Sequence, residues 1–202
     1  MLEPLLWTLA GFLSGAVPFS VLIGQLAAGE DIRRHGDHNP GAANVLRAAG
    51  IPAFAIASLA DYLKGAIPVG LAFYVVGLRG WPIILVALAP VLGHMFSPLL
   101  RFRGGKAVAA TFGIWTGLTL GTVPTLLGML LALLFSVFKV SGWAVITAFT
   151  ALGLFIIPYY GPAYPAFITI WVANLLLLAY KHRHDLIQSP GLRDWIKRRL
   201  VA

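Results

Sequence analysis

The stretch AVAATFGIWTGLTLGTVPTLLGMLLALLFSVF, Ala107 to Phe138, runs for 32 residues without a charge. At about 1.5 Å per helical residue it is too long for one simple crossing of a hydrocarbon core about 30 Å thick, and tight for two. How it resolves decides on which side of a bilayer the chain ends. On either side lie further apolar runs: Leu5 to Ala28, Ile51 to Leu78, Trp81 to Leu100, Val140 to Pro158 and Tyr164 to Tyr180. The run from Leu5 to Ala28 alone gives 24 residues free of charge. About 20 suffice for a transmembrane helix.

Composition agrees. Hydrophobic residues make up 59% of the 202 and charged residues 11%, against about 25% charged in soluble domains, and a water-soluble fold of this size cannot hide so much apolar surface. The first run is expected to remain in the mature chain, because Met1-Leu2-Glu3 is an acidic start and a cleaved signal peptide wants a basic one. Cysteine is absent, which excludes disulfides and thiolate metal sites and leaves helix packing to hold the fold.

Lysine and arginine set the orientation, since they accumulate in short cytoplasmic loops. Arg33, Arg34 and Arg47 lie between the first two runs. Arg101, Arg103 and Lys106 precede Ala107, and Lys181, Arg183, Arg193, Lys197, Arg198 and Arg199 follow the last run. All three groups fall on one side only if Ala107–Phe138 turns back on itself, and Gly121 to Pro124 supplies the residues for that turn. This predicts an all-α integral membrane protein of about seven transmembrane helices, forming a single membrane domain over 1–202. The spans fall near 5–28, 51–78, 81–100, 107–120, 123–138, 140–158 and 164–180. The N-terminus is outside and the C-terminus cytoplasmic. The net charge of +8 is then accounted for by topology, with no nucleic acid as partner. Leu192 to Val201 reads as a basic amphipathic helix lying on anionic headgroups.

The outer loops are too short to hold an active site, so chemistry is expected inside. The first inner loop contains Gly36, Asp37, His38, Asn39, Pro40, Gly41, Ala42, Ala43, Asn44 and, at its end, Arg47. Glycines let a backbone approach a ligand and present its N–H groups, Asn39 and Asn44 can fix such a turn, and Arg47 can clamp an oxyanion through two hydrogen bonds. A merely topogenic loop needs only the arginines. The second inner loop, Arg101-Phe102-Arg103-Gly104-Gly105-Lys106, feeds a helix start, where free N–H groups and the positive dipole end suit an anion. Its spacing is not that of a P-loop.

Within the spans, Asp61 and Lys64 are one helical turn apart and can pair. Intramembrane charges usually face the bundle interior or a polar cavity, so Lys64 is read either as half of a structural pair or as a site residue. His94 reads as a packing histidine and Asn174 as interhelical glue. Near the C-terminus, His182 is a candidate acid, base or phosphate donor, with Asp185 three residues on, and Ser141 offers a hydroxyl beside Lys139. No metal-ligand spacing occurs, and neither metal nor cofactor is expected.

Taken in order, Gly15-Ala16-Val17-Pro18-Phe19, Asp31-Ile32-Arg33, Asn39-Pro40-Gly41-Ala42-Ala43-Asn44-Val45-Leu46-Arg47, Asp61-Tyr62-Leu63-Lys64-Gly65, Leu92-Gly93-His94-Met95-Phe96-Ser97-Pro98 and Phe102-Arg103-Gly104-Gly105-Lys106 resemble the bacterial acyl-phosphate:glycerol-3-phosphate acyltransferase family, PlsY. The resemblance covers about residues 11 to 113 and returns at Tyr180 to Asp185. It implies a seven-helix enzyme of the bacterial cytoplasmic (inner) membrane, with acyl phosphate and glycerol 3-phosphate as substrates, membrane lipid around it and lysophosphatidic acid as product. By resemblance, Arg47 and Lys106 hold phosphate groups, Gly104 and Gly105 form the glycerol 3-phosphate loop, and His182 is the family's C-terminal histidine. Three positions depart from the family pattern: Asp37 stands for a serine, Ala43 for a threonine and Asp185 for an asparagine. Asp37 therefore implies one of two things, a general base or a carboxylate that repels the donor phosphate. The expected catalytic residues are Asp37, Arg47, Lys106 and His182, and the expected substrate-binding residues are Asn39, Gly41, Asn44, Lys64, Gly104, Gly105, Ser141 and Asp185. The rivals are an acyltransferase with a changed substrate and a non-enzymatic carrier or binder of phosphorylated metabolites or anionic lipid.

Overall fold

A computed structural model describes residues 2–196. Among these residues there are nine α-helices, in two compact units that divide between Leu120 and Gly121. The first unit holds α1 (Leu2–Ala16), α2 (Phe19–Ala28), α3 (Ala42–Gly70), α4 (Trp81–Met95) and α5 (Val108–Thr119). The second holds α6 (Thr122–Val137), α7 (Ser141–Tyr160), α8 (Pro165–Lys181) and the single turn α9 (Arg183–Leu186).

Four helical segments are long and apolar enough to cross a membrane: Leu2–Ala28, Ala42–Val75, Trp81–Leu100 and Ser141–Tyr160. Three shorter apolar helices, Val108–Thr119, Thr122–Val137 and Pro165–Lys181, complete the set. Leucines such as Leu5, Leu9, Leu13 and Leu154 point outward, as a lipid-facing surface requires.

The first apolar run, expected to be one continuous span, is interrupted. Pro18 has no N–H to give, and α1 stops at Ala16 before α2 begins at Phe19. The carbonyls released there find side chains. Ser97 Oγ donates to the Ala16 carbonyl at 2.5 Å, and Lys64 Nζ donates to the Val17 carbonyl at 3.1 Å. Without water, an unmet backbone group costs several kcal/mol, so a break at this depth requires such donors. Pro68 creates a similar vacancy one turn after Lys64, and the Lys64 carbonyl accepts from Ser14 Oγ at 3.0 Å.

The second run also starts differently. Helix begins at Ala42 rather than near residue 51, and it is broken at Gly50, whose φ of 78° lies in the left-handed region. Asn44 and Arg47 therefore sit on a helical turn before the span instead of in a loop. The break expected within Ala107–Phe138 occurs at Leu120 and Gly121, with φ of 48° and 103°.

Small residues bring the helices of the first unit together. A Cβ on Gly15 would fall 2.2 Å from the Pro90 carbonyl on α4, and one on Gly113 would fall 2.1 Å from the Tyr62 carbonyl on α3. Backbones this close are the signature of packing in lipid, where dispersion replaces the hydrophobic effect. Ile32, fully buried, inserts against Gly24 and clusters with Val45, Ala53 and Ala57. This anchors the loop between α2 and α3, and burial of one such side chain is worth about 1.5 to 3 kcal/mol.

In the second unit α7 packs on both α6 and α8. Phe155 stacks on Tyr159 and Tyr164 on Phe167, at 4.8 and 5.0 Å between centroids, placing an aromatic cluster at one end of these helices as an interfacial belt does. After α9 the chain is tied to the α6–α7 turn: Lys139 N–H donates to the Gly191 carbonyl and Arg193 N–H to the Val137 carbonyl, each at 2.9 Å. Most of the basic stretch in the amphipathic helix expected over 192–201 lies outside the described residues.

Candidate active site

The loop between α2 and α3 is built by short local bonds. Asp31 accepts the Arg33 backbone N–H at 2.9 Å and holds the Arg33 guanidinium through Nε at 2.9 Å and Nη2 at 2.6 Å. His38 takes a left-handed conformation with φ of 59°, its Nδ1 lying 2.9 Å from the Arg33 carbonyl. At Gly36 a Cβ would come within 2.5 Å of Asn44 Oδ1 and 2.7 Å of Arg47 Nη1. Only glycine lets these two side chains lie over the loop backbone.

Asn44 is the hub and is fully buried. Its amide donates to the Asn39 carbonyl at 2.8 Å and to Asp37 Oδ1 at 3.1 Å, while its Oδ1 accepts from Arg47 Nη1 at 2.5 Å. The other carboxylate oxygen of Asp37 lies 3.0 Å from Lys106 Nζ. One connected line thus runs Arg47, Asn44, Asp37, Lys106, and it joins the loop before α3 to the loop before α5. Gly41 opens α3, and its carbonyl accepts the Asn44 N–H at 3.0 Å. Burial pushes the Asp37 carboxyl up, but the Lys106 ammonium, the Asn39 N–H and the Asn44 amide together outweigh it and hold the group below its usual value. Asp37 is an ionised, paired carboxylate at neutral pH.

The second loop carries backbone strain. Arg101, Phe102 and Ala107 all have positive φ, at 51°, 62° and 59°, and each costs about 1–2 kcal/mol in a residue with a Cβ. Gly104 and Gly105 are buried against the end of α4. A Cβ on Gly104 would sit 1.9 Å from the His94 carbonyl, and one on Gly105 would sit 2.3 Å from His94 Nε2. The Gly105 N–H donates to the His94 carbonyl at 3.1 Å. The glycine pair is therefore required by packing, and the Gly105 N–H is committed to α4 instead of facing a ligand as the sequence had suggested. The pair presents Lys106 to Asp37.

Beside this line opens a cavity of about 650 Å³ lined by Arg33, His38, Leu99, Leu100, Arg101 and Arg103. Three guanidiniums around one opening suit a phosphate-bearing ligand, and Leu99 and Phe102, 67% and 65% exposed, give the loop an apolar outer face. Arg33, His38, Arg101 and Arg103 are not among the residues expected from sequence, because topology alone accounts for the arginines. The signal available in the sequence is their placement on the two loops that also carry the glycines.

Lys64 belongs to a different cluster. Its Nζ lies 2.7 Å from Asp61 Oδ1, with both side chains almost wholly buried. Asp61 Oδ2 accepts from Ser20 Oγ at 2.5 Å. His94 Nδ1 faces Asp61 Oδ1 at 3.8 Å. The remaining candidates lie in the second unit. Ser141 is the first residue of α7, and a Cβ on the adjacent Gly142 would meet Asp185 Oδ2 at 2.8 Å. His182 is buried at the end of α8, with Nδ1 2.9 Å from the Leu178 carbonyl, and its own carbonyl accepts the Asp185 N–H at 2.8 Å.

A family model described as glycerol-3-phosphate acyltransferase matches residues 5–189. The chain belongs to the glycerol-3-phosphate acyltransferase family. A glycerol-3-phosphate acyltransferase of Actinobacillus succinogenes is 38% identical over 91% of this chain and 88% of its own length. Another, from Thermotoga maritima, is 35% identical over 87% of this chain and 92% of its own. The fold is similar to the crystal structure of PlsY (YgiH), an integral membrane glycerol 3-phosphate acyltransferase, in its glycerol 3-phosphate form, with a TM-score of 0.82, 30% identity and 91% and 90% of the two chains covered. Its lysophosphatidic acid form gives 0.80 and 27%. As a member of this acyltransferase family, the chain is a membrane-embedded enzyme of phospholipid synthesis.

Proposed function

We propose that the chain transfers a fatty acyl group from acyl phosphate to the 1-hydroxyl of glycerol 3-phosphate, at the cytoplasmic face of a bacterial inner membrane. Seven crossings, with the N-terminus outside, put the two inner loops and the C-terminal histidine region on that face. The observation that carries this reading is the line Arg47, Asn44, Asp37, Lys106 beside a cavity with three arginines. Acceptor and leaving group are both phosphates, so the site must first neutralise and orient anions.

The step balances without a cofactor. The acceptor hydroxyl oxygen bonds to the acyl carbonyl carbon, the bond from that carbon to the phosphate oxygen breaks, and the hydroxyl proton ends on the released phosphate. Phosphate has a second pKa of about 6, whereas Asp37 is held below the ordinary carboxylate value, so phosphate is the stronger base. Asp37 in this reading neutralises Lys106 in the resting enzyme and is not the proton acceptor. Arg47 and Lys106 hold phosphate oxygens. Asn39, Gly41 and Asn44 shape the loop, and Gly104 and Gly105 aim Lys106. His182 is, by resemblance, the family's C-terminal histidine and acts as a catalytic residue in this reading, with Ser141 and Asp185 as substrate-binding residues.

Asp37 also supports a second reading, an acyltransferase whose donor or acceptor has changed, since a carboxylate occupies Lys106 where the family pattern has a neutral hydroxyl. Product analysis decides between them. Purified protein in lipid, given acyl phosphate with and without glycerol 3-phosphate, yields lysophosphatidic acid only with the acceptor under the first reading. An acylated product of another phosphorylated alcohol, with none from glycerol 3-phosphate, establishes the second.

A further inference from the structure

Asp61, Lys64, Ser20 and His94 form a buried polar cluster that the proposed chemistry does not use. Within lipid a purely structural ion pair is an expensive way to join helices, so the contacts it makes are informative. Lys64 reaches the Val17 carbonyl at the α1–α2 break. Ser20, on α2, donates to Asp61. His94, the penultimate residue of α4, lies between Asp61 and the second inner loop: its Nδ1 faces Asp61 at 3.8 Å, its Nε2 abuts Gly105, and its carbonyl holds the Gly105 N–H.

We infer that His94, set by the Asp61–Lys64–Ser20 cluster, is a positioning residue for the Gly104–Gly105 turn and thereby for the approach of Lys106 to the phosphate site. This rests on the acyltransferase reading for its kinetic consequence and on geometry alone for its structural one. Two features favour it over simple helix packing. The His94 ring edge and the Gly105 backbone meet so closely that no side chain fits between them, so displacement of the ring moves the turn directly. Further, the turn ends in the left-handed Ala107, a strained joint that keeps its geometry only while its neighbours impose it.

The test uses the full chain in lipid. Asp61→Asn alone leaves Lys64 buried without a counter-charge and can fail to fold; the double variant Asp61→Asn/Lys64→Met removes both charges, and His94→Phe keeps the ring while removing its polar edge. For each, hydrogen exchange of the segment 103–107 is measured beside that of 108–119, together with KM for glycerol 3-phosphate, kcat and the melting temperature. Exchange at 103–107 is expected to rise about tenfold in the double variant and in His94→Phe with 108–119 unchanged, and KM to rise about tenfold with kcat altered less, since misplacement by about 1 Å has effects of that order or larger. Unchanged exchange at 103–107, or a lowered melting temperature with KM intact, overturns the inference. If the wild type makes no acylated glycerol phosphate, the acyltransferase reading fails and the exchange result alone judges the placement of the turn.

Discussion

Asp37 and Lys106 are 3.0 Å apart, carboxylate oxygen to ammonium nitrogen, although each belongs to a different loop. The pair closes the two loops onto one another and gives the resting enzyme a neutral centre among Arg33, Arg47, Arg101 and Arg103. A substrate phosphate that engages Lys106 must share it with Asp37. Side-chain exposures of 46% for Asp37 and 21% for Lys106 put this ion pair near the surface class, worth about 0 to 1 kcal/mol.

Asp37→Ser is therefore expected to lower KM for the phosphorylated acceptor, by about fivefold at most, with kcat little changed. Steady-state kinetics on the purified variant reads this directly. A fall in kcat of about 10²-fold with binding intact would instead establish Asp37 as a general base.

Arg47→Ala and Lys106→Ala should each cost about 1.5 to 3 kcal/mol in phosphate binding, or roughly 10- to 150-fold in KM. Arg47→Lys should rescue only part of the loss, because an ammonium cannot both reach Asn44 and present a planar fork. Full turnover in both alanine variants would reduce the two basic clusters to topogenic charge.

Much of this was legible in the sequence because charge-free runs and basic loops are local features. The break at Gly121 and the pairing of Asp61 with Lys64 followed from residue type and spacing. Other features depend on distant contacts that no local pattern records. The start of α3 at Ala42 puts Asn44 and Arg47 one helical turn apart, but the hydrogen bond between them becomes meaningful only with Asp37 beneath. Gly104 and Gly105 read as an anion loop, whereas their closest constraint is His94, brought there by the packing of α4. The cavity arginines were hidden by a sufficient topological explanation, and the interruption at Pro18 by the apolar character of what surrounds it.

The pH dependence has a defined sign. Asp37 has a folded-state pKa below its unfolded value, so its contribution to stability is fully present above the unfolded pKa of about 3.9 and is lost as pH falls through the folded value. Between pH 5 and 9 the thermal stabilities of wild type and Asp37→Ser should run parallel. A divergence that opens near neutrality would show that Asp37 titrates there and is not the ionised partner of Lys106.

Gly113→Ala tests the packing of α5 on α3. The added methyl would meet the Tyr62 carbonyl at 2.1 Å, and overpacking of this kind costs about 1 to 3 kcal/mol. A lowered melting temperature in lipid is expected, measured by the loss of folded protein on heating; an unchanged value would mean that the two helices separate at little cost.

Topology is open to a clean test because the chain contains no cysteine, so any introduced thiol is the only one present. Single cysteines at His38, Arg103 and a position after Pro190 are expected to react with a membrane-impermeant reagent only from the cytoplasmic side, and one near 161, at the exposed Pro162, only from outside. The first two positions fall in the loops that carry Asp37 and Lys106, and the third follows the short turn α9. The break at Leu120 and Gly121 decides the outcome, because an even number of crossings between Lys106 and Lys181 returns the basic tail to the side of Arg33 and Arg47. Labelling of the tail from outside, with His38 and Arg103 labelled from within, would mean that α5 and α6 together cross once, and the C-terminal histidine would then lie across the membrane from Lys106.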